Sequence, residues 1–328
     1  MCMCFLDRRM LLRATAALGV AMLVPSVPAL AHAPQGVKRV QPSFYRYKLG
    51  TIELTAISDG TLEFPAETLW GDRADGARGL LTSTFQSPNP VRLQLNAILV
   101  NTGGKLVMID AGCGMQGKFQ KTAGGLLGSL AAAGYAQGDI DMIVFTHGHA
   151  DHLWGISDPK NASLLFPTAQ FVASETEVAF WNAPELTAKE SPLLKPDITR
   201  ANLKLASPRL RLIKAGTEVA PGVTTLDTAG HTPGHMSVLI SSGSEQVLVT
   251  GDVVFDSAVS FLQPEWSVGF DLDVPMATKT RIAFLDRAAT DKALVGGYHL
   301  PFPGFGHVVR EGSAYRWLPA DWQWTPDE

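Results

Sequence analysis

The sequence predicts an α/β domain in which two β-sheets pack face to face with helices on their outer sides. Paired strand-like runs joined by glycine turns come first, and strand-like and helical segments alternate after them. The composition fits such layers, with 46% of the residues hydrophobic, enough to fill a core between them.

The elements follow in chain order. Apolar and polar residues alternate over 45–50 and 52–57, and again over 93–100 and 105–109, giving two hairpins that turn at Gly50 and at Gly103-Gly104. The stretch 64–92 between them is poor in periodicity and rich in Pro, Gly and Ser, and reads as a long loop or lid. Leucines at helical spacing predict a helix over 119–133, and the apolar run 141–145 returns as a buried strand. Further strands are predicted at 170–172, 210–213, 223–226, 237–240 and 246–249, with helices near 175–181, 198–205 and 277–289. No repeat, low-complexity tract or linker divides residues 34–328, which are expected to form one domain.

Residues 1–33 read as a targeting segment outside that domain. Asp7-Arg8-Arg9-Met10-Leu11-Leu12-Arg13 resembles a twin-arginine signal, followed by the apolar stretch 14–24 and small-residue cleavage options at Ala29-Leu-Ala31 or Ala31-His-Ala33. That stretch is shorter than the about 20 apolar residues a bilayer span needs. The expectation is therefore export by the twin-arginine route to the periplasm or medium, with no stable membrane insertion. Losing Asp7, Arg8, Arg9 and Arg13 takes the formal charge from −4 to about −6, which argues against a nucleic acid partner. Cys2 and Cys4 leave with the same segment, so no intramolecular disulfide is expected and Cys113 reads as a small buried residue. A homodimer is left open.

The chemistry concentrates at residues 147–152, His-Gly-His-Ala-Asp-His, just after the predicted buried strand. Imidazole and carboxylate are the ligands that borderline divalent ions prefer. A turn at a strand's end can splay His147 and His149 toward one ion, and Asp151 and His152 toward another. Downstream, His231 offers a third histidine for the first ion, Asp252 a carboxylate able to bridge the two, and His299 a last histidine for the second. Taken alone, each of these three reads as an ordinary hydrogen-bonded histidine or a turn aspartate; together with 147–152 they complete two sites.

In this order, an HxHxDH loop, a later Gly-His, an aspartate and a final histidine, the chain resembles the metallo-β-lactamase superfamily of dinuclear hydrolases. Within it the sequence is most similar to the methyl parathion hydrolase and lactonase group, from Phe44-Tyr-Arg-Tyr-Lys-Leu-Gly50 through Ile57-Ser-Asp-Gly60 and Leu99-Val-Asn-Thr-Gly-Gly104 to Gly297-Tyr-His-Leu-Pro-Phe-Pro-Gly-Phe-Gly-His307. The resemblance implies an αββα four-layer sandwich and two divalent metal ions per chain, zinc being the expected metal. One ion would be held by His147, His149 and His231, the other by Asp151, His152 and His299, with Asp252 shared. Asp110 would orient a ligand imidazole by accepting its N–H, while His235 and His307 have no ligand role. A metal-bridging hydroxide would be the nucleophile, with Asp151 or Asp252 shuttling the proton. The residues between and after the ligands, Gly148, Ala150 and Leu153-Trp154-Gly155, are where the loop and the pocket rim are expected to depart from the group.

Phe119, Trp181, Phe261, Trp266 and Phe270 are candidates for an apolar pocket wall. Combined with the resemblance, such a wall implies neutral hydrophobic esters as small-molecule substrates. Lactones such as acyl-homoserine lactones come first and phosphotriesters such as methyl parathion second, with organophosphate hydrolysis as the main activity the nearest alternative. A glyoxalase II-type thioesterase shares the ligands, but an exported enzyme seldom meets glutathione thioesters. A β-lactamase fits poorly, because Asp252 stands where those enzymes carry a thiolate or no bridging aspartate. A metal-dependent binding protein is the non-enzyme alternative.

Overall fold

The computed structural model describes residues 43–114, 120–186 and 194–324. β1 (Phe44–Leu49) and β2 (Ile52–Phe64) form the first hairpin, and β3 (Val91–Asn101) and β4 (Leu106–Ile109) follow antiparallel. β5 (Met142–Val144) pairs parallel with β4; β6 (Ser157–Asp158) and β7 (Ser163–Leu164) make a separate short ribbon. β8 (Gln170–Ser174) and β9 (Leu210–Ile213) complete a seven-stranded sheet in the order β1-β2-β3-β4-β5-β8-β9. The second seven-stranded sheet begins with β10 (Glu218–Ala220), β11 (Val223–Asp227), β12 (Met236–Ser242) and β13 (Glu245–Val249). It continues through β14 (Leu294–Gly296), parallel to β13, to the hairpin of β15 (Phe305–Glu311) and β16 (Ala314–Pro319).

Period-two alternation decides what each strand face meets. In β4, Val107 and Ile109 join the apolar cluster between the sheets with Val247 and Val249 of β13, Val238 of β12 and Val144 of β5. Met108 points the other way, into a cluster with Leu81, Leu126, Leu130 and Leu203. Those leucines lie on the outer helices α2 (Ala74–Ser83), α3 (Leu126–Ala132) and α6 (Pro196–Ala206), which cover the first sheet together with α1 (Ala66–Trp70) and α5 (Glu175–Asn182). α4 (Ala150–Leu153) is a single turn at the sheet edge. On the far side, Leu248 of β13 and Val295 of β14 pack with Phe261 of α7 (Val259–Leu262) and with Phe284 and Leu285 of α8 (Val274–Asp291). Four layers result, helices on either side of two sheets. Among the described residues no helix is long and apolar enough to cross a membrane.

Three expectations need correction. The stretch 64–92 is largely helical: Ala66, Leu69, Trp70, Ala74, Ala77 and Leu81 recur at helical spacing and are buried, a pattern masked in the sequence by intervening Gly and Asp. The helix predicted from 119 begins at Leu126, because Gly124 adopts a left-handed φ of 90° and the carboxylate of Asp59 accepts the N–H of Leu126 at 2.8 Å. Strands β14, β15 and β16, like the short β6, β7 and β10, fall outside the predicted strands. β15 and β16 form the sheet's border, where charged residues such as Arg310, Glu311 and Arg316 break the apolar pattern.

The parallel pairs β4/β5 and β13/β14 bring their C-terminal ends to a shared edge. Asp110 follows β4, residues 147–152 follow β5, Asp252 follows β13 and His299 follows β14, while His231 lies between β11 and β12.

Candidate metal centre

The 147–152 segment changes conformation at its middle, and that change divides its ligands between two groups. It is extended up to His149 (φ −67°, ψ 163°), so His147 and His149 fall on one side with Gly148 between them. At Ala150 it enters the helical turn α4, whose successive residues Asp151 and His152 both turn toward a second point.

The ligand atoms form two buried groups, His147, His149, His231 and Asp252 in one and Asp151, His152 and His299 in the other. His147 Nε2 and His231 Nε2 each lie 2.9 Å from His149 Nδ1. Asp252 Oδ2 is 3.6 Å from His147 Nε2 and 3.3 Å from His231 Nε2. The other carboxylate oxygen, Oδ1, is 3.0 Å from His152 Nε2 and 3.2 Å from His299 Nε2, and Asp151 Oδ2 is 3.4 and 3.6 Å from the same two nitrogens. Asp252 thus presents one oxygen to each group.

These side chains fit two divalent ions. A tetrahedral ion with nitrogen ligands at about 2.0–2.1 Å sets those ligands roughly 3.3 Å apart, close to the edges found here. His152 Nε2 and Asp252 Oδ1 are buried with no hydrogen-bond partner, a costly arrangement that a shared cation relieves. Burial and the neighbouring His152 hold the His147 imidazole well below its ordinary pKa; burial and His231 lower His149 to about 3. Both are therefore neutral, as ligands must be. Burial pushes the Asp252 carboxyl up, but the neighbouring His152 and His299 outweigh it and hold it well below the usual range, so it is a carboxylate.

The outward ring nitrogens of His152, His231 and His299 are held by acceptors that fix those rings. His152 Nδ1–H donates to Asp110 Oδ2 at 2.8 Å, His299 Nδ1–H to the carbonyl of Gln94 at 2.7 Å, and His231 Nδ1–H to Asp271 Oδ1 at 3.0 Å. Asp110 is itself held by the N–H and hydroxyl of Thr146, at a left-handed φ of 62°. Asp271 in turn accepts from Arg281 Nη2 at 2.9 Å, and that buried guanidinium also donates to the carbonyls of Val253, Pro264 and Trp266. Nothing in the sequence spacing marks Asp271 or Arg281; only the fold brings them to His231.

Cys113 is fully buried beside Asp59 and belongs to neither group. Burial, with the Asp59 charge, raises its pKa well above that of an ordinary thiol. His307 sits on β15 away from both groups.

The aromatic wall is not assembled as expected. Trp181 is fully buried, its ring edge-on to His149 at 5.7 Å, and Phe261 is fully buried under α8; neither offers surface to a ligand. Phe270 packs on Phe64 and keeps 7% exposure, while Trp266 is half-buried beneath Arg73. Phe119 lies outside the described residues. Trp154 and Gly155, expected at the rim, are buried, Trp154 donating to the hydroxyl of Thr199 at 2.9 Å. Among the described residues, a small cavity of about 170 Å³ reaches His299, lined also by Gln86, Ser87, Arg92 and Gln94 with Val91 and Pro301.

A sequence profile of the metallo-beta-lactamase superfamily matches residues 90–299, which span every ligand in the two groups. The chain belongs to the metallo-β-lactamase superfamily. Among solved members, it is similar to AidC, a dizinc quorum-quenching lactonase in complex with a product, N-hexnoyl-L-homoserine, at 29% identity and a TM-score of 0.79, over 86% of this chain and 98% of that one. It is equally similar to AbOPH, a hydrolase of the beta lactamase superfamily, at 30% identity and a TM-score of 0.79, over 87% of this chain and all of that one. An N-acyl homoserine lactonase of a Bacillus species is 29% identical over 159 residues, 47% of this chain and 54% of the relative. The chain thus spans about half the length of the curated relatives it matches.

Proposed function

We propose that the protein is a dinuclear metal-dependent hydrolase that opens lactones, with zinc as its ion. The observation that carries this reading is Asp252, whose two oxygens each serve a different histidine group. The likeness to a dizinc lactonase over nearly its whole length supports the choice of substrate. His147, His149 and His231 would hold one ion and Asp151, His152 and His299 the other, with Asp252 between them. Two ions bound there supply a water of lowered pKa and an electrophile for the ester carbonyl.

The chain's own groups do the rest. Asp151 or Asp252 would take the proton of the attacking water and return it to the leaving alkoxide, which in a lactone stays tethered to the product. Asp110, Asp271 and the Gln94 carbonyl keep the imidazoles of His152, His231 and His299 in one tautomer and one orientation. The hydroxyl of Tyr298 donates to the carbonyl of Asp151 and fixes α4 against the His299 loop. Phosphotriesters are a second substrate class, because a centre that receives a tetrahedral oxyanion also receives a phosphoryl group of that shape. We also infer that Arg8 and Arg9 direct export by the twin-arginine route.

Metal analysis of the purified protein, joined to a panel of lactones, phosphotriesters, aryl esters and cephalosporins, tests the reading. Two ions per chain and fastest turnover on a lactone are expected. One ion or none in active protein would overturn the dinuclear centre, and a cephalosporin as best substrate would overturn the lactonase.

A further inference from the structure

Glu177 is a buried carboxylate that the chemistry above leaves unused. It lies on α5, where Oε1 accepts the N–H of Gly148 at 2.8 Å and the indole N–H of Trp181 at 2.7 Å. Oε2 accepts the hydroxyl of Thr232 at 2.7 Å and the N–H of Gly234 at 3.0 Å. Gly148 stands between His147 and His149, while Thr232 and Gly234 stand between His231 and His235. One side chain therefore grips the two loops that supply all three imidazoles of the first group, and those loops come from opposite sheets.

Both loops approach closely. A Cβ on Gly148 would sit 2.2 Å from Trp181 Nε1, and one on Gly234 would sit 2.2 Å from the backbone nitrogen of Glu177. Any side chain there would push its loop away. The carbonyl of Gly148 accepts the hydroxyl of Thr199 at 3.0 Å, so both backbone polar groups of Gly148 are held by side chains. The second group is anchored by other residues: Asp110 on His152, the Gln94 carbonyl on His299 and Tyr298 on Asp151.

We propose that Glu177 is a positioning residue for the first ion alone: by holding Gly148 and Gly234 to one carboxylate, it sets the distance of His147 and His149 from His231. The proposal rests on the two-ion reading. In Glu177→Gln an amide NH2 replaces one oxygen and turns a donor toward a backbone N–H, so one loop is released while the side-chain volume is kept.

The test is titration of the metal-free full chain with Co(II), followed by visible absorption. Wild type should take up two ions. In Glu177→Gln one binding step should weaken by about 10- to 100-fold, the range for losing a residue that orients metal ligands, with an altered spectrum for that step and the other step unchanged. In a His299→Ala background, which disables the second group, the same loss should appear in the step that remains. Unchanged cobalt affinities with a lowered Tm would reduce Glu177 to a structural residue and overturn the proposal, as would an equal loss at both steps. Thr232→Val, which removes one of the four donors, gives the same comparison at a smaller loss if Glu177→Gln does not fold. A wild type that binds no cobalt would bring down the two-ion reading itself, whereas one that binds two ions without turning over lactones would leave Glu177 in place and remove only the substrate assignment.

Discussion

His235 Nε2 accepts the backbone N–H of Asp252 at 2.9 Å, and its Nδ1 lies 3.1 Å from the carbonyl of Thr228. The ring is therefore the neutral Nδ1–H tautomer, and it ties Asp252 to the loop that carries His231. Burial and the nearby His231 hold its pKa at about 3, so it stays neutral across the range in which an enzyme works. His235→Ala leaves the Asp252 N–H buried without an acceptor, at about 1–3 kcal/mol. Urea unfolding should show a loss of that size, and competition with a chelator should show weaker metal binding; unchanged values in both would remove His235 from the support of Asp252.

Asp252→Ala should lose at least one ion per chain, because both groups use this carboxylate. Cys113→Ala should keep both ions and most activity, since the thiol is buried, protonated and outside the two groups. Elemental analysis of the two purified variants separates these outcomes. Equal metal loss from both would mean that the thiol is a ligand after all.

Asp59 predicts a pH dependence of stability. It is buried and accepts the N–H groups of Cys113 and Leu126, yet burial outweighs these bonds and raises its pKa to about 6. A carboxyl whose folded pKa lies above the unfolded value of about 3.9 contributes stability that is fully present below pH 3.9 and is lost as the pH rises through about 6. Relative to Asp59→Asn, wild type should therefore lose on the order of 3 kcal/mol between pH 3.5 and 7.5. Parallel denaturation curves for the two proteins across that range would contradict the raised pKa.

Replacing Arg8 and Arg9 together with Lys should retain the precursor in the cytoplasm, if the N-terminal segment is read by the twin-arginine route. Fractionation of expressing cells followed by immunoblotting gives the answer. Normal export of the double variant would point to another route.

The residues of the two candidate metal groups were legible because chemistry and local geometry coincide in them. Six successive residues encode both an extended step and a helical turn, and the later His231, Asp252 and His299 each follow an apolar run or a glycine turn. The groups that orient them were far less visible. Asp271 lies 40 positions from His231, Gln94 lies 205 from His299, and the Gln94 contact is made by a carbonyl that every residue possesses. The layered fold was readable from strand alternation, but α1 and α2 were hidden by their Gly and Asp content, and the border hairpin by its charges. Aromatic side chains misled for a different reason: size and apolarity suit a core and a pocket wall equally, and only burial distinguishes them.

Trp181 turns that distinction into a measurement. As a wall of the substrate pocket it would govern selectivity, and its removal would narrow the difference between long- and short-chain lactones. In the structure it is fully buried, its indole N–H bonds to Glu177, and its ring supports His149 from behind. Trp181→Ala should therefore cost about 3–5 kcal/mol of stability through the cavity it leaves. It should also weaken metal binding, because His149 loses the ring it rests on and Glu177 loses a donor. The ratio of kcat/KM for a long-chain over a short-chain lactone should stay near its wild-type value, measured on protein saturated with metal so that altered occupancy does not enter. A collapsed ratio at full metal occupancy and unchanged Tm would restore Trp181 to the pocket wall.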